Sequence, residues 1–153
     1  DSRINEQDKG YFFEGLDTEG GYLYVSSAFG NARLVKIKLD DFTVINVIGL
    51  SEVCGEGLMI KDGYGYVVCK ISPGVVIKVD LDRMVEVDKL SFSEGWSEPK
   101  SGVVKNGDSL YCLCKQGLVK IDLNEFKDVR HWEIDGTSRE AITIDGDTIY
   151  ICR

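Results

Sequence analysis

The chain has 153 residues, of which 43% are hydrophobic and 29% are charged, with 17 Gly and only 2 Pro. This length favours a single domain with a buried core, and no apolar run approaches the roughly 18 residues that cross a bilayer, so no membrane partner is predicted. Lysine and arginine number 18 against 26 aspartate and glutamate, and the resulting net charge of −8 disfavours binding to the phosphates of a nucleic acid.

Four repeats follow one another along the chain, three nearly complete and one cut short. Their shared second half reads LVKIKLD at 34–40, VIKVDLD at 76–82 and LVKIDLN at 118–124. A leucine in this segment recurs every 42 residues, at Leu39, Leu81 and Leu123. We assign the repeats of one single domain, 1–153, to residues 15–56, 57–100, 101–138 and, incomplete, 139–153, each boundary being approximate.

Within each repeat, apolar and polar residues alternate with a period of two, which is typical of β-strands and differs from a helical stripe. In the third repeat Val119, Ile121 and Leu123 point to one side, whereas Lys120 and Asp122 point to the other. Asp-Gly and Asn-Gly dipeptides between the runs predict hairpin turns. We therefore predict four strands per repeat, named A to D, and almost no helix.

The second repeat shows this division most clearly. Its strands are predicted at 57–61, 64–70, 75–81 and 84–90. Four short antiparallel strands in roughly 40 to 45 residues are typical of one blade of a β-propeller. The aromatic-led runs YLYVSS and YGYVVCK, followed by Gly-x-Val/Leu-x-Lys-Ile/Val-Asp-Leu, resemble the repeats of YVTN and NHL-like propellers. The resemblance implies a rigid disc with a binding surface at one mouth of a central channel, and activities that range from none to hydrolysis.

The chain is predicted to hold about three and a half blades, whereas propellers close with four to eight. By register, residues 1–6 correspond to a strand D, and the last repeat contains only strands A and B. A second chain could complete a seven-blade disc, a missing segment of a longer propeller could supply the other half, or exchange of terminal strands could close a four-blade ring. One of these is expected because an open arc leaves strand edges unpaired, and we favour the first two.

Five cysteines fall mostly inside apolar runs, at Cys54, Cys69, Cys112, Cys114 and Cys152. An odd number in such runs predicts reduced, buried thiols rather than the disulfide framework of a small secreted domain, and unpaired cysteines favour a cytoplasmic location. Two of them lie two residues apart on a predicted strand, a spacing that suits zinc less well than a Cys-x2-Cys turn. No metal and no cofactor is predicted.

The resemblance implies that the D-to-A and B-to-C connections share the binding face. Just before strand A, at the expected channel mouth, stand Glu14, Glu56, Lys100 and Arg139. Such mixed charges could bind a polar ligand or neutralise one another. Trp96, in the longest connection, is either a contact anchor for a partner or a cover for the seam between two blades.

His131, the only histidine, is predicted to lie at the surface of an outer strand, so no catalytic residue is assigned. We therefore expect a non-enzymatic scaffold or partner-binding module whose loop-bearing face contacts a protein or peptide, with a homodimer as one way to complete the ring. The first alternative is a lactonase-like hydrolase with a divalent cation in the channel, for which Glu14 and Glu56 are the only equivalent acidic pair. The second is a carbohydrate-binding propeller that stacks sugars on Trp96 and Phe29.

Overall fold

A computed structural model describes residues 13–27, 32–54, 56–134 and 141–152 of the chain. Fourteen strands and no helix form this part of the protein, which confirms the all-β prediction. They are β1 (Phe13–Glu19), β2 (Tyr22–Ser27), β3 (Arg33–Lys38), β4 (Val44–Gly49), β5 (Gly57–Lys61), β6 (Tyr64–Cys69), β7 (Val75–Asp80), β8 (Val85–Ser91), β9 (Pro99–Asn106), β10 (Ser109–Cys114), β11 (Gly117–Asp122), β12 (Lys127–Glu133), β13 (Ala141–Asp145) and β14 (Thr148–Cys152). Across the described ranges, no helix is long and apolar enough to cross a membrane.

The strands form three four-stranded sheets and one two-stranded sheet. Strands β1 to β4 form blade 1, β5 to β8 form blade 2, β9 to β12 form blade 3, and β13 and β14 form a half-blade, with antiparallel pairing throughout. The first strand of each sheet lies beside the first strand of the next, so the sheets fan out around a common axis. The fold is a β-propeller arc of three and a half blades whose ring is not closed. The strands of blade 2 lie within one residue of the predicted bounds.

The strand alternation gives every blade two faces, which pack into seams between blades. We call the face toward the following blade the front and the face toward the preceding blade the rear. At the first seam, Tyr24 and Leu34 on the front of blade 1 pack against Leu58, Val67 and Ile77 on the rear of blade 2. All five side chains are buried, so this seam supplies much of the apolar core.

The second seam repeats this arrangement between blades 2 and 3. Tyr66 and Val68 on the front of blade 2 pack against Leu110, Cys112 and Val119 on the rear of blade 3. Each seam is therefore asymmetric, since a tyrosine-bearing front always meets an aliphatic rear.

Equivalent glycines allow the innermost strands of neighbouring blades to approach closely. A Cβ atom on Gly15 would lie 2.7 Å from the backbone nitrogen of Leu58 in the next blade. A Cβ atom on Gly57 would lie 2.4 Å from Cγ1 of Val103 in the blade after that. Gly102 holds the same position in blade 3. Real Cβ atoms essentially never lie so close to another heavy atom, so the close approach of the innermost strands requires glycine at these positions.

Lysines on the third strand of each blade lie within the seams rather than facing open solvent. The Nζ atom of Lys36 lies 4.4 Å from the ring centroid of Tyr22 and donates a hydrogen bond of 3.1 Å to the carbonyl oxygen of Leu81 in blade 2. Lys78 lies 4.4 Å from the ring centroid of Tyr64. The stems cover apolar surface while the ammonium groups contact rings and a carbonyl, which explains how a polar stripe fits between packed blades.

The turns between the third and fourth strands carry a second equivalent set, Phe42, Met84 and Phe126. Their φ angles are positive, at 54°, 50° and 48°, and they recur every 42 residues. Met84 is buried in the first seam, and the ring centroid of Phe126 lies 5.9 Å from that of Tyr66 in the preceding blade. A large side chain at this turn therefore packs against the front face of the blade before it.

Cys54 and Cys69 form a disulfide bond that is almost entirely buried. The prediction of reduced cysteines is wrong for this pair, which removes the argument for a cytoplasmic location. Cys54 lies in the D-to-A connection and Cys69 at the end of β6, and folding of the blade brings these points together. Cys112 and Cys114 are buried as expected, whereas Cys152 is exposed, contrary to the prediction, because it lies on the uncovered half-blade.

Candidate functional site

Two of the predicted site residues, Glu14 and Glu56, lie close together where the innermost strands begin. Glu14 is in β1 and Glu56 directly precedes β5, and these two strands adjoin. Beyond the effect of partial burial, the two carboxyl groups are close enough for the charge of Glu56 to raise the pKa of Glu14. Lys70, which follows β6, places its Nζ atom 2.9 Å from Oε1 of Glu56. The structure thus assembles two acids and one base at the loop-bearing face.

The charges in this cluster compensate one another. Glu56 is only 4% exposed, and a buried carboxylate is costly unless it is paired. Lys70 supplies that charge, and its hydrogen bond to Glu56 raises the pKa of the lysine. Partial burial, followed by the neighbouring charge of Glu56, raises the pKa of Glu14. A divalent cation at this position would have to compete with the ammonium group of Lys70.

Three other predicted site residues are Lys100, Arg139 and Phe29. Arg139, Phe29 and the side chain of Lys100 lie outside the described residues. Lys100 precedes Gly102, the glycine of its innermost strand, by two residues, whereas Glu14 and Glu56 each precede the equivalent glycine by one. The strand register therefore separates Lys100 from the position that the two glutamates share.

Trp96 folds back onto the second seam, which was one of the two interpretations of its position. The connection 92–98 crosses from blade 2 to blade 3, and Trp96 is partly buried against the apolar core there. Its ring stacks on His131, with the centroids 4.8 Å apart and the planes inclined by 25°. His131 is therefore half-buried, and the prediction of a plain surface residue is wrong because the tryptophan covers it.

Hydrogen bonds fix the Trp96 connection to blade 3 on both sides of the indole. On one side, the backbone nitrogen and the hydroxyl group of Ser93 each donate to Oδ2 of Asp128 at 2.7 Å, and Nε2 of His131 lies 3.1 Å from the same oxygen. Burial raises the pKa of Asp128, but the hydrogen bonds from Ser93 and His131 outweigh it and lower the pKa. On the other side, Ser97 and Gln116 exchange two hydrogen bonds. These hydrogen bonds join the loop to blade 3 on both sides of the indole.

A cleft of about 380 Å³ opens beside this loop. Its walls include Ser72, Pro73, Phe92, Glu94, Trp96 and Ser97. Two aromatic rings and a proline give it an apolar floor, while one carboxylate and two hydroxyl groups provide hydrogen-bonding atoms. Ligand sites commonly combine apolar walls with a few polar groups in this way. A larger cleft of about 530 Å³, near Arg33 and Glu52, has no aromatic wall.

Sequence reasoning missed the role of Lys70, although the sequence contains a signal for it. The dipeptide Cys-Lys ends the second strand in both the second and the third repeat. In the third, Lys115 likewise pairs with a glutamate, its Nζ atom lying 3.3 Å from Oε1 of Glu98. Two repeats therefore place a lysine and a glutamate together on the loop-bearing face. No comparable pattern marks Asp128, whose partner Ser93 belongs to another blade.

Burial makes the thiols of Cys112 and Cys114 poor metal ligands. It raises the pKa of Cys112 well above its usual value and the pKa of Cys114 to about 12, so both remain protonated at neutral pH. Within the described part of the chain, no group of three or more His, Cys, Asp or Glu side chains is arranged to hold a metal ion.

Several solved structures have similar folds and are distant in sequence. The computationally designed Ika4 protein has a TM-score of 0.69 at 13% identity, over 93% of this chain and 85% of that one. The WD40 repeats of RRP9 give 0.70 at 11% identity, and BamB from Moraxella catarrhalis gives 0.69 at 14%, over 87% and 96% of this chain. This chain covers only 42% of each of these two. No family model and no curated protein matches the sequence. The likeness establishes a β-propeller repeat fold, and the YVTN or NHL-like resemblance is not confirmed.

Proposed function

We propose that this chain is a non-enzymatic partner-binding module whose Trp96 cleft holds a segment of a protein or peptide. The observation that carries the proposal is an aromatic cleft whose loop is already fixed by Asp128 and Gln116. A loop ordered before binding loses little conformational entropy when a partner arrives, which favours affinity. Tryptophan is also among the residues that contribute most to binding at protein interfaces.

The composition of the cleft indicates the chemistry of the partner. Phe92, Pro73 and Trp96 offer a surface for an apolar side chain, and Glu94 stands beside them for a basic one. The net charge of −8 favours approach of a positively charged segment. We therefore expect a peptide segment with an aromatic or aliphatic residue next to lysine or arginine.

The two alternative functions receive less support from the described residues. A hydrolase with a cation near Glu14 and Glu56 would place that cation where Lys70 already forms an ion pair. A carbohydrate site on Trp96 would have one ring face available, since His131 covers the other. Its second expected platform, Phe29, lies outside the described residues.

Selection of random peptides displayed on phage tests the proposal. The wild-type chain serves as bait, and Trp96→Ala serves for counter-selection. Trp132→Ala is the matched control, because Trp132 packs against Arg130 in strand β12 rather than lining the cleft. Circular dichroism and melting curves establish that each variant is folded.

We expect enriched peptides with an apolar residue beside a basic one, and at least tenfold weaker binding of them to Trp96→Ala. Binding to Trp132→Ala should be unchanged, and Glu94→Gln should lose affinity mainly for the basic peptides. The proposal fails if no peptide is enriched, or if the enriched peptides bind Trp96→Ala as tightly as wild type.

The proposal also includes a second copy of the chain as a partner. Two arcs of three and a half blades together hold the strands of seven blades, within the range in which propellers close. Neither nucleic acid nor membrane is proposed as a partner. Pairing of two copies would leave the Trp96 cleft on the loop-bearing face of each copy.

A further inference from the structure

The rear face of blade 1 is exposed at positions that blade 2 buries. Leu16 is 70% exposed, whereas Leu58, at the same register in blade 2, is 2% exposed. Leu39 is 36% exposed, whereas its equivalent Leu81 is 1% exposed. Blade 1 thus carries the apolar residues of a face that forms a seam in blade 2. Among the described residues, no preceding blade covers this face in the way that blade 1 covers the rear face of blade 2.

The front face of the half-blade is exposed in the complementary way. Tyr150 pairs with Thr143 in the register in which Tyr66 pairs with Met59, so the two tyrosines are equivalent. Tyr66 and Tyr24 are each 3% exposed because the following blade covers them, whereas Tyr150 is 54% exposed. The arc therefore ends in a front face at one end and a rear face at the other.

The turn residues show how these two faces meet inside the chain. Phe126 packs against the front of blade 2, its ring centroid 5.9 Å from that of Tyr66. Met84, the equivalent residue in blade 2, is 4% exposed because it packs against the front of blade 1. Phe42 is the corresponding residue of blade 1, and it is 71% exposed.

We propose that Phe42 of one copy of this chain packs against Tyr150 of a second copy, continuing head to tail the seam that recurs within the chain. The inference rests on the proposed pairing of two copies and assigns the surfaces that form it. The occupant is a second copy because this chain itself carries both halves of the contact, a rear face with its turn phenylalanine and a front face with its tyrosine. When the rear face of each copy packs against the front face of the other, two equivalent seams form.

Light scattering coupled to size-exclusion chromatography tests the proposal with the full chain. The wild type should have a mass of about 34 kDa, twice the 17.0 kDa of one chain. Phe42→Asp should shift the mass to that of one chain, because a charge would face the apolar seam. The matched control is Val87→Asp, a similar change at a 44% exposed position on the outer strand of blade 2, which should leave the mass at that of two chains. Circular dichroism should show intact strands in both variants, since both positions are exposed in a single chain.

Mixing two disrupted variants tests the head-to-tail geometry directly. Tyr150→Lys alone should also have the mass of one chain, because it places a charge on the opposite face. An equimolar mixture of Phe42→Asp with Tyr150→Lys should recover the mass of two chains, because one seam then joins aspartate to lysine and the other is wild type. A face-to-face dimer would not be restored in this way.

The outcomes separate this inference from the wider proposal. A wild-type mass of one chain overturns both the pairing and the assigned contact, but leaves peptide binding at Trp96 standing. A dimer that Phe42→Asp does not disrupt, or a mixture that stays at the mass of one chain, overturns the contact while pairing itself survives. Recovery in the mixture supports the contact.

Discussion

Substitution of Gly15 by alanine should destabilise the chain more than an ordinary glycine-to-alanine change, because Gly15 lies where the innermost strands of blades 1 and 2 adjoin. The added Cβ atom would lie 2.5 Å from Oγ of Ser26, 2.7 Å from the backbone nitrogen of Leu58 and 2.8 Å from the carbonyl carbon of Gly57. The last two atoms belong to the backbone of the next blade and cannot rotate away. The two strands would have to separate by about 0.7 Å to reach ordinary contact.

The expected cost follows from this geometry. Insertion of a methyl group into a well-packed interior costs about 1–3 kcal/mol, and the upper end applies here because the obstructing atoms are in the main chain. For a chain of this size, about 1 kcal/mol corresponds to about 2–4 °C in Tm. Gly15→Ala should therefore lower the Tm by about 6–12 °C, taking about 3 kcal/mol as the cost.

Gly49→Ala provides the matched control for this experiment. Gly49 lies in the outer strand β4, where a Cβ atom meets no heavy atom within 4 Å and φ is not positive. Alanine there should stabilise by about 0.4–1 kcal/mol through the unfolded state. Melting followed by circular dichroism at 215 nm measures both variants under identical conditions. Equal melting temperatures for the two variants would refute the close approach of the innermost strands, and with it the radial arrangement of the blades.

Three further predictions concern the cross-links and charges of the loop-bearing face. Joint replacement of Cys54 and Cys69 by alanine should lower the free energy of unfolding by about 3 kcal/mol, the value for a closed loop of about 15 residues, and urea titration with and without reductant measures it. The pKa of Glu14 is raised in the folded chain. The stability that the protonated carboxyl group contributes is therefore complete below its ordinary pKa of 4.5, and it is lost as the pH rises through the raised pKa. Glu14→Gln should therefore have a higher melting temperature than wild type at pH 7 and the same melting temperature as wild type at pH 4. A difference in melting temperature that does not change with pH would contradict the pairing with Glu56. Ser93→Ala should lower the free energy of unfolding, measured by urea titration, by about 1 kcal/mol, because one of the two hydrogen bonds that Ser93 donates to Asp128 is lost. Because the pKa of Asp128 is lowered in the folded chain, its carboxylate stabilises the fold at a pH above its ordinary pKa, and this stability is lost as the pH falls through the lowered pKa. Ser93→Ala should therefore be less sensitive to acid than wild type.

The strand pattern could be predicted from the sequence because it depends on local features. The alternation of Val119, Lys120 and Ile121 fixes which side chains share a face, and the 42-residue spacing of Leu81 and Leu123 fixes the repeat. Turn dipeptides then divide each repeat into strands. The alternation and the turns act within about ten residues, and the repeat is found by comparing the chain with itself, so one sequence suffices to recognise them.

Contacts between blades could not be predicted in the same way. The disulfide between Cys54 and Cys69 depends on a D-to-A connection returning to the end of β6, and sequence spacing alone does not show that return. The stacking of Trp96 on His131 joins a loop of blade 2 to a strand of blade 3. Such pairs depend on how far the blades rotate relative to each other, which the hydrophobic pattern does not specify.

The lysines on the third strands identify the front face of each complete blade. Lys36 and Lys78 lie over tyrosines on front faces, whereas rear faces carry aliphatic side chains and the turn residue. In the described part of the chain, the exposed front face, on the half-blade, has only two strands and no such lysine, and it carries Tyr150. Two of these faces placed together would bring tyrosine against tyrosine, without a turn residue. Two rear faces would set Phe42 of each copy against a surface that lacks the tyrosine on which the equivalent Phe126 packs. Only a front-to-rear contact pairs a turn residue with a tyrosine as the second seam does within the chain, so the proposed contact between copies runs head to tail.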